Sequence, residues 1–244
     1  MIEPLSESQV IENLRQTEDP SAQYYAAWWL GKMRSRHPDA IPLLLTTLRA
    51  LNDTPVDPDR RGVALNAIRA LGLLQDDRAD ADLRDLLKST DYTVREEAAR
   101  SLGTMGSHAA AEAIRSLLDS GIDGAGREQP SSPLLQEPCE ALLEALGDIG
   151  ISDAATLATL QPSAQHPRPL MRSAACRALL QLTGDAAWGE QLIQLLQHPE
   201  PLVRRGALID LGATGWTAAV ETMSAAAVEP SLKLVALKGL AEQS

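Results

Sequence analysis

The chain has 244 residues, 44% hydrophobic and 23% charged, which is enough for a large buried core, and no apolar run approaches membrane-spanning length. A net charge of −11 excludes a general nucleic-acid binder, which needs a basic footprint, although it leaves room for a local basic patch. Phe is absent and there are only three Tyr and four Trp; helix cores can be built from Leu and Ala alone, so the composition favours an all-α protein.

The start, Met1-Ile-Glu-Pro-Leu, has neither the basic beginning nor the apolar centre of a signal peptide, so a soluble, cytoplasmic protein is expected. Ser6 or Ser8 is placed to cap a helix over residues 9–16, and Ser21 to cap a second over 22–34. Ile41, Leu44, Leu48 and Leu51 then share one face at helical spacing. The Pro- and Asp-rich stretch at 52–58 breaks that helix, and another follows over about 60–74. Helices over 81–88 and 94–105 flank the turn Ser89-Thr-Asp-Tyr92. A helix near 109–119 leads into the largest insertion, residues 120–136, with three Gly and two Pro. Connections of that length inside a compact array are often functional or mobile. A helix over 138–149 follows, with Pro138 tolerated in its first turn. Later turns are His166-Pro-Arg-Pro169, His198-Pro-Glu-Pro201 and Glu229-Pro-Ser231, and Trp188, Leu192, Leu195 and Leu196 form the buried stripe of the helix between the first two.

The second helix of each pair repeats a pattern. It begins as Tyr-Tyr-Ala-Ala-Trp-Trp-Leu-Gly at 24–31 and returns as Ile68-Arg-Ala-Leu-Gly72, Ala99-Arg-Ser-Leu-Gly103 and Leu143-Glu-Ala-Leu-Gly147. The shared leucines are Leu30, Leu71, Leu102, Leu146, Leu179, Leu211 and Leu240, at intervals of 29 to 44 residues. A recurring period of this size means stacked helical hairpins. The expected fold is therefore all-α, an α-solenoid (superhelix) of about seven HEAT-like hairpins, in a single domain over 1–244. Arg95, Arg172 and Arg204 each lie seven residues before an anchor leucine, where such arrays use an arginine to bond carbonyls and a turn carboxylate of the neighbouring unit; Asp91 and Glu200 are placed for that role.

Two residues before the anchors lie Trp28, Arg69, Arg100, Glu144, Arg177, Ile209 and Lys238. Most are charged, so this register is expected to face solvent, and Trp28 stands out. Four residues earlier Tyr24 shares its face, so the two form an exposed aromatic pair. Tyr25 and Trp29 fall on registers that are mostly small elsewhere; they either pack under the N-terminal helix or line a groove edge. The basic row Arg69, Arg100, Arg177 and Lys238 suits a ligand or partner with carboxylates, and equally a solvated face of ordinary ion pairs.

Cys139 and Cys176 read as small buried residues, and no metal signature, phosphate loop or nucleophile motif appears. None of the four histidines is followed by Glu, so the His-Glu pairs of an iron-binding HEAT-repeat hydroxylase are absent. The residues thus describe a binding solenoid with an aromatic and basic inner surface, without metal or cofactor.

The octet at 24–31, with the segments at 137–147, 208–216 and 231–240, resembles the E-type subunits of the E/F class of phycobilin lyases over essentially the whole chain. That resemblance implies a heterodimer with an F-type HEAT-repeat partner, which attaches an open-chain tetrapyrrole, phycocyanobilin or a relative, to a cysteine of a phycobiliprotein α subunit. The bilin is then substrate rather than cofactor. Tyr24, Tyr25, Trp28 and Trp29 would receive its pyrrole rings, and Arg69, Arg100 and Arg177 its two propionates. Glu140 or Glu144 would bond the pyrrole nitrogens or relay a proton. Leu232, Leu234, Val235 and Leu237 offer an apolar surface for the F-type partner. Two readings from other classes stay open: a non-catalytic scaffold or chaperone for phycobiliprotein assembly, and a bilin-detaching protein of antenna turnover.

Overall fold

The computed structural model describes residues 5–53 and 55–243; the first four residues, Thr54 and Ser244 lie outside it, and with them all but Leu5 of the start Met1-Ile-Glu-Pro-Leu, on which the expected absence of a signal peptide rests. The described residues form fourteen α-helices and no strand. Contacts divide the chain into two compact units, Met1–Ala110 and Ala111–Ser244. The first holds three hairpins: α1 (Glu7–Arg15) with α2 (Pro20–Lys32), α3 (Ala40–Thr47) with α4 (Pro58–Leu74), and α5 (Asp80–Leu86) with α6 (Tyr92–Met105). The second holds four: α7 (Ala111–Leu118) with α8 (Cys139–Ile149), α9 (Ala154–Leu160) with α10 (Pro169–Thr183), α11 (Ala186–Leu195) with α12 (Pro201–Gly212), and α13 (Val220–Ala225) with α14 (Pro230–Gln243). These are the seven hairpins read from the sequence, with the odd-numbered outer helices shorter than their partners.

Local chemistry sets the helix ends. Ser6 and Gln9 form a capping box at α1. Asp19, not Ser21, caps α2: its side chain accepts the N–H groups of Ser21 and Ala22, and Pro20 takes the first position, where no donor is needed. Asp57 and Pro58 repeat the arrangement at α4. The α3 helix tightens to a 3-10 turn over Leu48–Asn52, which leaves Leu51 half-buried. Trp188, expected in the buried stripe of α11, is half-buried too.

The seven anchor leucines are buried, none more than 3% exposed. Each contributes on the order of 1.5–3 kcal/mol by leaving water. The glycine that follows several of them answers to the neighbouring inner helix. A Cβ on Gly31 would lie 2.7 Å from the Ala70 Cα, on Gly72 2.8 Å from the Ser101 Cα, on Gly147 2.7 Å from the Ala178 Cα, and on Gly212 2.8 Å from the Ala236 Cα. At these four junctions the inner helices therefore meet backbone to backbone, which explains the Leu-Gly pair there.

Arg95, Arg172 and Arg204 each donate to the carbonyl six residues earlier, Ser89 at 2.8 Å, His166 at 3.0 Å and His198 at 2.7 Å. Those carbonyls belong to the turn of the arginine's own hairpin, so the expected bonding of carbonyls is met within the hairpin itself. Arg204 also donates from Nε to the Ala227 carbonyl at 3.1 Å, which reaches the following hairpin. Asp91 caps α6 and accepts two bonds from Arg61 of α4, at 2.6 and 2.9 Å. The Arg61 guanidinium holds the Asp91 carboxyl below its usual range.

The insertion at 120–136 is folded. Gln129 and Gln136 N–H groups donate to the Leu134 and Arg127 carbonyls, and Ala125 and Leu135 are buried. Arg168 donates to the Pro133 carbonyl at 3.0 Å, tying the insertion to the start of α10.

Two glycines of α4 provide a matched test. Gly72→Ala places a methyl against the Ser101 backbone and should destabilise by about 1–3 kcal/mol, or roughly 2–12 °C in Tm. Gly62→Ala has 3.8 Å of clearance to the Tyr24 ring and should leave Tm unchanged or raise it. Thermal melts of the two variants check the stacking account; equal shifts would contradict it.

Candidate functional site

One side of α2 buries Gln23, Ala26, Ala27, Leu30 and Gly31. The other leaves Tyr24, Tyr25 and Trp28 at 48%, 44% and 46% exposure, as the register comparison predicts for Tyr24 and Trp28. The Tyr25 and Trp28 ring centroids lie 5.5 Å apart at 40°, an attractive tilted pair. Tyr24 leans over Gly62 of α4, and its carbonyl accepts the Asn66 amide at 3.2 Å. Trp29 is half-buried. Three adjacent exposed aromatics on one short helix are costly in water, and covering two such rings recovers roughly 3–6 kcal/mol.

The basic row is less free than its sequence suggests. Arg69 is exposed, but its guanidinium makes two bonds to Glu97 of α6, one of them 2.8 Å from Nε, and a third at 3.3 Å to Asn66. The Glu97 hydrogen bond keeps the Arg69 charge more firmly held than that of a free arginine. Arg100 reaches Glu96 at 3.5 Å.

Arg177, in the second unit, is the clear correction. It is 8% exposed, with Nη2 at 2.7 and 2.8 Å from the two oxygens of Asp148. Glu144 and Asp210 stand at 3.6 Å. Burial works against its charge, and the carboxylates of Asp148, Asp210 and Glu144 outweigh that cost, so its pKa is raised. Arg177 is therefore a buried cation linking α8, α10 and α12, not a solvent-facing ligand for a propionate. Of the candidate acids, Glu144 belongs to this cluster and Glu140 pairs with Arg168 at 3.1 Å.

Cys139 and Cys176 are buried, and burial is the main cause that pushes each thiol up to about 12, so neither is a ready nucleophile. Three histidines are turn builders: Nδ1 of His37, His166 and His198 accepts the N–H two residues on, that of Asp39, Arg168 and Glu200 respectively. His166 is the buried one, and burial lowers its pKa. Among the described residues, no three or more His, Cys, Asp or Glu are grouped to hold a metal ion, and no helix is long and apolar enough to cross a membrane.

Lys32 escaped the sequence reading. It is exposed in the last turn of α2, four residues beyond Trp28 and eight beyond Tyr24. The spacing 24, 28, 32 would have revealed it, but the register comparison stopped at the anchor leucine. On α14, Leu234 and Val235 are exposed, while Leu232 and Leu237 are half-buried.

The sequence matches the HEAT repeats family over residues 56–129 and the PBS lyase HEAT-like repeat family over 22–50. It is 41% identical over 245 residues to the phycocyanobilin lyase subunit alpha of Picosynechococcus sp. PCC 7002, covering 99% of this chain and 89% of that one. The chain belongs to the family of phycocyanobilin lyase α subunits. Within that family it is 58% identical over 241 residues to the bilin biosynthesis protein RpcE of Synechococcus sp. WH8020, covering 99% of this chain and 91% of the relative. The solved complex of CpcE and CpcF of phycocyanin lyase from Nostoc sp. PCC7120 aligns with a TM-score of 0.83 at 40% identity, over 99% of this chain and 89% of that one. The expected HEAT-like solenoid fold is thus the family's fold.

Replacing Arg177 with Met should cost about 3–5 kcal/mol by leaving three carboxylates without their cation. Arg69→Gln, on an exposed pair, should cost about 1 kcal/mol or less. Thermal melts of the two variants at neutral pH separate the two cases.

Proposed function

We propose that the chain is the E-type subunit of a heterodimeric bilin lyase, acting with an F-type HEAT-repeat partner in the cyanobacterial cytoplasm. The pair attaches phycocyanobilin or a related open-chain tetrapyrrole to a cysteine of a phycobiliprotein α subunit. Likeness to the phycocyanobilin lyase α subunits and to the CpcE–CpcF complex supports this reading. In the reaction, the acceptor sulfur bonds the ethylidene carbon of ring A, the double bond is consumed, and the thiol proton is taken up by the tetrapyrrole. No leaving group or oxidant is required. What such an addition needs from protein is a fixed pigment shape, a path for the proton, and exclusion of wrong approaches.

The observation that carries the site is the exposed patch of Tyr24, Tyr25 and Trp28 on α2. Flat conjugated rings stack on such faces with little ordering cost. Arg69 of α4 donates to Asn66, whose amide donates to the Tyr24 carbonyl, and this chain of bonds ties α4 to the platform.

The test is reconstitution of the chain with its F-type partner, phycocyanobilin and apo-α subunit, followed by the absorption spectrum of the purified product. The intact pair should yield covalent pigment. Trp28→Ala should reduce the yield by about tenfold or more at limiting bilin, with helicity unchanged. Unimpaired transfer by that variant would remove the aromatic platform. Binding without covalent product would make the protein a scaffold, and loss of pigment from holo-subunit would make it a detaching protein.

A further inference from the structure

The aromatic patch ends in a cation. Tyr24, Trp28 and Lys32 follow one another at intervals of four along α2, so their side chains lie in one row, with about 5–6 Å between successive Cβ atoms. All three are exposed. Lys32 has no carboxylate partner among the described residues, whereas Arg69 is bonded to Glu97, Arg100 to Glu96 and Arg177 to Asp148. On a chain of net charge −11, the row therefore passes from apolar rings to an unneutralised ammonium within two helical turns.

That sequence of surfaces matches one chemistry: a flat conjugated ligand with a carboxylate on a short flexible arm. The rings cover Trp28 and Tyr24, and the carboxylate meets the Lys32 ammonium in a charge-assisted hydrogen bond. A linear tetrapyrrole with propionate arms is such a ligand. Resting on the reading of α2 as the pigment platform, we propose that Lys32 takes one propionate and so fixes which way round the tetrapyrrole lies on Tyr24 and Trp28. Arg69 and Arg177, already satisfied by carboxylates, then keep their roles as ties between inner helices.

Lys32 is also a cation in the last turn of a helix, where it offsets the dipole. A residue with that role alone affects stability and ignores ligand charge, so the decisive readout is a comparison of ligands. The heterodimer is titrated with phycocyanobilin and with its dimethyl ester, followed by bilin absorbance, in the wild type, Lys32→Gln, Lys32→Glu, Lys32→Arg and Trp28→Ala. Expected is a preference for the free acid of about tenfold, the factor that corresponds to one good charged contact. The preference should vanish in Lys32→Gln, reverse in Lys32→Glu and persist in Lys32→Arg, with ester affinity unchanged within about twofold throughout. It should also weaken as salt rises. If Trp28→Ala weakens both ligands and Lys32→Glu keeps the wild-type preference, Lys32 is not the anchor although the platform stands. If Trp28→Ala binds both ligands as tightly as the wild type, the platform falls and this inference with it.

Discussion

The architecture depends on how closely one inner helix approaches the next. Where Gly31, Gly72, Gly147 and Gly212 meet their neighbours there is no room for a single Cβ. The partner position must be small as well, and Ala70, Ser101 and Ala178 fill it. Ser101 adds a hydrogen bond from its hydroxyl to the Ile68 carbonyl at 2.9 Å, so even the polar member of the set is satisfied. Bulk is thereby confined to the anchor leucines and to outward registers. In α2 the position equivalent to Ala70 carries Trp29, which is half-buried.

Charge then fastens what packing aligns. In the first unit Arg61 joins Asp91 and Arg69 joins Glu97; in the second Glu140 joins Arg168, Arg177 joins three carboxylates, and Arg205 joins Glu229. Each of these pairs spans two inner helices or a helix and the next turn. The exposed ones add little stability, whereas the Arg177 cluster is shielded enough for its removal to matter. An acidic protein that places its arginines between repeats has few left for ligands, so a cation without a carboxylate beside it, as on α2, gains weight.

The hairpins, the anchor leucines and the exposure of Tyr24 and Trp28 were legible in the sequence because each is repeated. A register that is charged in five of the other six copies shows what the odd copy is doing. The α2 cap was misread because two acceptors, Asp19 and Ser21, flank Pro20, and only geometry shows that the carboxylate reaches both N–H groups. The burial of Arg177 was out of reach for a different reason. Its fate depends on Asp148, 29 residues before it, and Asp210, 33 residues after it, both brought in by neighbouring hairpins. Within its own helix it looks like any other member of a basic row. The turn arginines lie between these cases: their structural role was legible, but the identity of the carbonyls they hold was not.

The indoles of this chain are unevenly distributed. Trp28 stands in water, while Trp29, Trp188 and Trp216 are half-buried. Of the four, Trp28 is the one most open to collisional quenchers in solution, and it stands in the row inferred to hold pigment. A tetrapyrrole absorbs in the near ultraviolet where indoles emit, so arrival of pigment on α2 would dim the emission of the side chain beneath it. If the inferred row holds pigment, the protein carries its own optical reporter there, and occupancy can be followed in the unlabelled chain.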